Sequence, residues 1–147
     1  MACLPLLLWP QSASERLTVG PPRKVVGKRN DTVQTRIPVS ILEGYHVNSN
    51  TPSEDYLIPL TVTWTSLGAL QDAKVIFPKP SSEKYEFSEK PLSVFTGDIA
   101  LTASFKVSPT AAAGPGIASG KLRYQACNNR ACFPPKTVDI NVPYQVQ

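Results

Sequence analysis

Strict alternation of apolar and polar side chains constrains the fold of this chain more than any other sequence feature. Val33, Thr35, Ile37, Val39 and Ile41 share one face, and polar residues or proline stand between them. A period of two is typical of a half-buried β-strand. The same period recurs over Tyr56 to Trp64 and Ile99 to Val107, and no stretch has a convincing helical period. The pattern therefore predicts an all-β fold.

Further short strands are predicted between turn signals, at Arg16–Val19, Ala73–Pro78, Leu92–Phe95, Lys121–Cys127 and Cys132–Val142. The 15 prolines agree with short strands and extended connections, because proline breaks helices and central strands. Connections are expected at Arg23–Asp31, Lys79–Lys90 and Pro109–Gly120, the last as a flexible crossing between sheets. Pro38 indicates an edge strand or a bulge. Seven to eight strands of this kind favour an immunoglobulin-like antiparallel β-sandwich.

A chain of 147 residues is long enough for one domain with its own core, which we place at residues 15–147. Before it, the apolar run Leu4–Trp9 and the small residues Ser12–Ser14 are typical of the end of a secretory signal. Residues 1–14 are therefore predicted to be a signal-peptide remnant, the alternative being a loosely docked or disordered tail. Loss of that segment would remove Cys3 and leave two cysteines in a periplasmic or secreted protein.

The remaining composition disfavours two classes of partner. The net charge is +4 and the basic residues are scattered, which argues against nucleic-acid binding. No later stretch is apolar for long enough to cross a bilayer, so no stable membrane insertion is expected.

The segment Tyr124–Thr137 carries the two other cysteines. Asn128-Asn129-Arg130-Ala131 joins them with good turn chemistry and would place Cys127 opposite Cys132 at the mouth of a hairpin. Opposed Cβ atoms lie about 4.5–5.5 Å apart, whereas a disulfide needs roughly 3.5–4.5 Å. A disulfide is therefore predicted to be feasible, strained and exposed. So short a loop gives little entropic stabilisation, which favours thiol–disulfide exchange. The spacing alone supports a structural disulfide equally well.

The residues around the pair also bear on its chemistry. Arg130 and Lys136 would favour a thiolate, and Pro134-Pro135 would leave the strand edge beside Cys132 open to a partner. The one histidine, His46, is far upstream and cannot complete a four-ligand zinc site, so no metal and no other cofactor is expected. A cysteine nucleophile activated by histidine is a formal alternative. However, no sequence feature indicates the orienting group or the oxyanion site that hydrolysis needs.

The two halves of this hairpin, Tyr124-Gln125-Ala126-Cys127 and Cys132-Phe133-Pro134-Pro135-Lys136-Thr137, resemble the N-terminal periplasmic domain of the DsbD thiol:disulfide interchange family. The likeness extends in outline over Thr32 to Val142 and includes Gly44-Tyr45-His46-Val47 and the segment around Glu86-Phe87. His46 and Asn48 depart from the family pattern, which has aromatic residues there. The spacing between the cysteines is also slightly shorter.

The resemblance implies an immunoglobulin-like fold and a redox relay used in electron transfer and cytochrome c biogenesis. Cys132 would be the nucleophile and Cys127 the resolving thiol. Phe87, or else Tyr85, would belong to a cap that shields them, and His46, Arg130 and Lys136 would modulate the site. The implied partners are thioredoxin-like periplasmic proteins and a membrane electron transporter. The implied activity is that of a component of a protein-disulfide reductase. The alternative is a non-catalytic protein-binding sandwich with a structural disulfide.

Overall fold

The computed structural model describes residues 15–147, so the predicted signal remnant at residues 1–14 lies outside the described residues. Residues 15–147 form twelve β-strands. No helix in this part of the chain is long and apolar enough to span a membrane. The strands are β1 Leu17–Val19, β2 Val25–Gly27, β3 Thr32–Ile41, β4 His46–Asn48, β5 Thr61–Ser66, β6 Leu70–Ile76, β7 Ser81–Glu83, β8 Leu92–Phe95, β9 Asp98–Val107, β10 Gly114–Tyr124, β11 Ala126–Cys127 and β12 Lys136–Val146.

These strands form three four-stranded sheets, in the orders β1-β3-β9-β6, β2-β12-β10-β5 and β11-β4-β8-β7. The pairings are antiparallel except for β2, which runs parallel to β12. The first two sheets bury their alternating apolar side chains in one core, which includes Leu17, Ile37, Leu101, Phe105, Leu122, Ile140 and Val142. The predicted immunoglobulin-like all-β sandwich is confirmed. The alternation along β3 and β9 produces this sandwich, because the apolar side chains on one face of each strand are buried away from water.

The structure has more strands than the pattern predicts because several are too short to show a period. β2 lies inside the connection predicted at Arg23–Asp31, and β7 lies inside the loop predicted at Lys79–Lys90. Each has three residues, and all three side chains of β7 are exposed. Such strands are specified by the neighbour to which they hydrogen-bond, because three residues are too few to show a period.

The predicted flexible crossing at Pro109–Gly120 is wrong in its second half. Strand β10 begins at Gly114 and pairs with β12 through to Tyr124. Gly116 stands opposite Tyr144, and a Cβ atom at Gly116 would overlap the Tyr144 ring. The small residues therefore make room for an aromatic side chain across the strands rather than providing flexibility.

The strand predicted over Tyr56 to Trp64 begins only at Thr61. Pro59 cannot donate to a strand ladder, and the backbone N–H of Ile58 donates instead to Oε1 of Gln125 at 3.1 Å. Tyr56 is exposed, whereas Leu57 is buried in a small cluster outside the main core. The segment before β5 therefore packs against the small cluster through Leu57 and does not extend a sheet.

Proline positions also set strand limits. Strand β1 pairs only with Val39 to Ile41 of β3, so β3 is an edge strand from Thr32 to Pro38, as the position of Pro38 predicts.

The predicted strand Cys132–Val142 instead begins at Lys136 and runs to Val146. Pro134 and Pro135 lie immediately before it and lack the N–H groups that a ladder needs. Cys132 remains outside β12, in an isolated bridge to Cys127.

The third sheet has two differently covered faces. On its core face, Val47, Phe95 and Ala126 pack into the main core. Residues that alternate with these point the other way, and they include Leu92 and Val94, which form a separate cluster with Leu57. We call this second side the site face. It carries Cys127, because Cys127 follows Ala126 along β11.

Candidate redox site

Cys127 and Cys132 form a disulfide with an S–S distance of 2.09 Å and a Cα–Cα distance of 4.0 Å. The backbone N–H of Asn128 donates to Ala131 O at 2.9 Å, and that of Phe133 donates to Ala126 O at 2.9 Å. These two bonds flank the cysteines, which therefore form a non-hydrogen-bonded antiparallel pair. Side chains are closest at such positions, with Cα atoms about 4.5 Å apart. The register itself therefore brings the two sulfurs within bonding distance.

The turn between the cysteines is fixed by Asn128. Its Oδ1 atom accepts hydrogen bonds from the backbone N–H groups of Arg130 and Ala131, both at 2.9 Å. Asparagine side chains commonly close turns in this way. The turn therefore holds the two cysteines in register without help from the rest of the sheet.

The two cysteines differ in exposure. Cys127 is completely buried, whereas Cys132 is partly exposed and packs beside Leu57, Leu92 and Val94. The disulfide is thus not exposed as a unit, which corrects the prediction of an exposed bond. The hairpin does lie at the surface, but the site face of the third sheet covers one of its two sulfurs.

His46 is the partner of Cys127 in the pairing of β11 with β4. Cys132, Cys127 and His46 therefore stand in a row across neighbouring strands. His46 is 2% exposed, and its Nε2 atom is buried with no hydrogen-bond partner among residues 15–147. Burial lowers the pKa of His46 from 6.5 to about 4, because a charged imidazolium loses its hydration there. At neutral pH His46 is a neutral imidazole.

The segment Lys84–Ser88, here called the cap segment, stacks on His46 at one end of this row. The ring of Tyr85 stacks on His46 with centroids 3.8 Å apart and planes inclined by 13°. Phe87 lies parallel to both rings, 5.9 Å from Tyr85 and 6.3 Å from His46. Tyr85, Phe87 and Cys132 all pack against the same small cluster of Leu57, Leu92 and Val94. Burial and the charge of Glu83 raise the pKa of the Tyr85 phenol, which stays neutral.

The cap segment is closed mainly by its own hydrogen bonds. Ser88 N donates to Tyr85 O at 3.2 Å, and the Lys84 ammonium donates to Ser88 O at 2.5 Å. One further bond joins it to the cysteine turn, from Glu86 N to Asn129 Oδ1 at 3.3 Å. The cap segment is therefore a locally closed turn whose two rings pack on His46 and on the small cluster.

The predicted modulating cations lie at the margin of the site. Arg130 has an exposed side chain in the turn between the cysteines. Lys136 is the first residue of β12, opposite Tyr124, and is also exposed. Their effect on the cysteines stays a prediction.

A cation–π cluster behind the site was not foreseen from the sequence. The guanidinium carbon of Arg16 lies 3.9 Å from the centroid of Phe133 and 5.2 Å from that of Tyr45. Phe133 follows Cys132, and Tyr45 precedes His46, so the two rings are direct chain neighbours of site residues. Arg16 thus connects the start of β1 to both strands that carry the site. The sequence signal for this cluster is the aromatic residue next to each of Cys132 and His46. That signal can be used only when the pairing of the strands is already known.

A polar network on the site face was also missed. Asn48 Nδ2 donates to Gln125 Oε1 at 2.9 Å and to Ile58 O at 3.0 Å. Through these bonds, the segment before β5 is fixed over the site face and Leu57 is placed beside Cys132. Asn48, which departs from the family pattern, is therefore an anchor for the covering segment.

Comparison with known proteins agrees with this arrangement. Residues 16–143 match the family described as thiol:disulfide interchange protein DsbD, N-terminal. The chain belongs to this family. No curated protein sequence matches it.

Two solved structures are similar to the chain. The N-terminal periplasmic domain of ScsB from Proteus mirabilis has 14% identity and a TM-score of 0.58, over 80% of this chain and 43% of that one. The chain thus spans less than half of the ScsB domain. The reduced DsbD N-terminal domain of Neisseria meningitidis has 18% identity and a TM-score of 0.46, over 88% of this chain and 90% of that one. The ScsB match supports the fold, and the family assignment supports a thiol–disulfide site at Cys127 and Cys132.

The cation–π cluster should contribute to stability. We expect Arg16→Ala to lower the free energy of unfolding by about 1–2 kcal/mol, because it removes a guanidinium lying over two rings. Urea unfolding of the oxidised domain measures this. Arg36→Ala, at an exposed position of β3, is the matched control and should change stability by less than about 0.5 kcal/mol. Equal losses in the two variants would contradict the role of the cluster.

Burial of neutral His46 should make the oxidised domain less stable in mild acid. The unfolded chain protonates His46 below pH 6.5, whereas the folded domain resists protonation until about pH 4, so stability falls as the pH falls between these values. Between pH 7 and pH 5 the expected loss is about 2 kcal/mol. Urea unfolding at both pH values measures it, and His46→Phe should remove most of the loss. An equal loss in both proteins would disprove the assignment to His46.

Proposed function

We propose that the chain is an exported thiol–disulfide exchange module that passes reducing equivalents through Cys127 and Cys132 to thioredoxin-like partners in the periplasm. The observation that carries the proposal is the place of the disulfide. It closes a four-residue turn on the site face, outside the main core, and Cys132 packs on the same small cluster as Tyr85 and Phe87. A bond there adds little stability, because the entropic gain grows with loop length.

The difference in burial supports the roles of the two cysteines. Cys132 is the partly exposed member and is the one that a partner can reach, so it is the nucleophile. Its thiolate attacks a partner disulfide, forms a mixed disulfide and releases one partner thiolate. Cys127 then attacks Cys132 Sγ, which re-forms the Cys127–Cys132 disulfide and releases the second partner sulfur. A thioredoxin-like domain, which receives electrons from a membrane electron transporter, then reduces the Cys127–Cys132 disulfide again.

The cap segment controls access in this scheme. Tyr85 and Phe87 pack against the cluster that contacts Cys132, so a partner must displace them to align its sulfur with the disulfide. A groove of about 350 Å³ lies beside the cap, between Phe87 and the segment that carries Glu54 and exposed Tyr56. This groove provides a surface on which a partner could dock as the cap moves.

The alternative is a protein-binding sandwich with a structural disulfide, and trapping separates the two. Cys127→Ser leaves Cys132 without its resolving thiol, so a mixed disulfide with a thioredoxin-like protein should accumulate. Non-reducing electrophoresis and mass spectrometry of the adduct measure it. The matched variant Cys132→Ser should give at least about tenfold less adduct, because buried Cys127 is inaccessible. Absence of an adduct with Cys127→Ser, or equal adducts with both variants, would contradict the proposed roles.

A further inference from the structure

Cys127 has two neighbours in register, Cys132 across the hairpin and His46 on β4. Directly opposed strand residues have Cβ atoms about 4.5–5.5 Å apart, which is within reach of an imidazole ring. Cys127 is fully buried and His46 is 2% exposed, so water does not separate them freely. Any proton that leaves or reaches Cys127 needs a group inside the site.

The Nε2 atom of His46 lacks the partner that a buried polar atom normally has. The oxidised protein cannot supply one from Cys127, because a disulfide sulfur carries no proton. Reduction would create an S–H group on Cys127, the residue paired with His46 across the strands. The unpaired atom of the oxidised state would then become a hydrogen-bond acceptor in the reduced state.

We propose that His46 is the proton acceptor for Cys127, an inference that rests on the exchange function proposed above. In the reduced domain, the Cys127 thiol donates a hydrogen bond to His46 Nε2. In the resolving step, Cys127 Sγ bonds to Cys132 Sγ, and the bond from Cys132 Sγ to the partner sulfur breaks. The partner sulfur leaves with the electron pair as a thiolate, and the Cys127 proton passes to Nε2 and then to solvent or the departing thiolate.

The surroundings of His46 keep its nitrogen free for this step. The titratable residues next to it are Cys127, its strand partner on β11, and Tyr85, whose ring stacks on it and whose phenol stays neutral at pH 7. On β8, the residues paired with β4 are apolar Val94 and Phe95. Glu86 and Arg130 are exposed, on the cap segment and the cysteine turn. Burial without a carboxylate partner among residues 15–147 holds the imidazole neutral at pH 7, so one ring nitrogen can accept a hydrogen bond.

Nitrogen NMR of the wild-type domain tests the hydrogen bond directly. His46 is the single histidine of the chain, so its imidazole signals need no assignment. We expect Nε2 to be unprotonated in both redox states and its resonance to move toward that of a hydrogen-bonded acceptor on reduction. An identical Nε2 resonance in both states, or an Nε2 that carries the proton in the reduced state, would overturn the proposal.

The kinetic test uses an aromatic disulfide reagent that releases a coloured thiol at each step. Attack by Cys132 releases the first thiol, and ring closure by Cys127 releases the second. His46→Phe keeps a flat ring for Tyr85 but has no nitrogen. It should slow the second phase by about 100-fold, the usual scale of general-base catalysis, and leave the first unchanged. Arg36→Ala, at an exposed position of β3 in another sheet, is the control and should leave both phases within about threefold of wild type.

Equal second phases in wild type and His46→Phe would refute the proposal, as would equal slowing of both phases, which indicates a structural role. The reagent replaces the protein partner in this assay. The two proposals can therefore fail separately. If the domain traps no thioredoxin-like protein but still closes its disulfide in a His46-dependent way, the proposed function is disproved and the role of His46 stands.

Discussion

The site depends on the non-hydrogen-bonded pairing of Cys127 with Cys132. This register brings the two sulfurs together and directs them to the site face, because side chains alternate along a strand. It also sets the surroundings of the pair. Ala126 and Phe133 face the other way, and His46 lies beside Cys127. A slip of this pairing by one residue would direct the two sulfurs to opposite faces of the hairpin and would prevent the disulfide.

The fold keeps this site separate from the core that stabilises it. The main core contains neither site cysteine, whereas Cys132 packs with Leu57, Leu92 and Val94 in a second cluster. One face of the third sheet therefore anchors the hairpin, and the other carries reactive groups beneath the cap segment. Breaking and forming the disulfide can leave the core packing unchanged, which is what repeated exchange requires.

The sequence predicted what local pattern controls. Alternation along β3 and β9 determines their burial, and the turn residues between Cys127 and Cys132 predict the hairpin. The stacking of His46 and the Arg16 cluster could not be predicted, because both depend on which strands become neighbours. Pairing of β4 with β11 joins segments about 80 residues apart, and no short pattern encodes that distance. Strands β2 and β7 were missed for another reason, because three residues are too few to show a period.

The central claim is that the Cys127–Cys132 disulfide is poised for exchange rather than for stability. The most direct measurement is its reduction potential, determined by equilibrating the wild-type domain with defined ratios of reduced and oxidised dithiol. The account predicts a potential above about −300 mV, in the range of disulfides that exchange with thioredoxin-like proteins. A potential below that value would identify the bond as structural and would contradict the account.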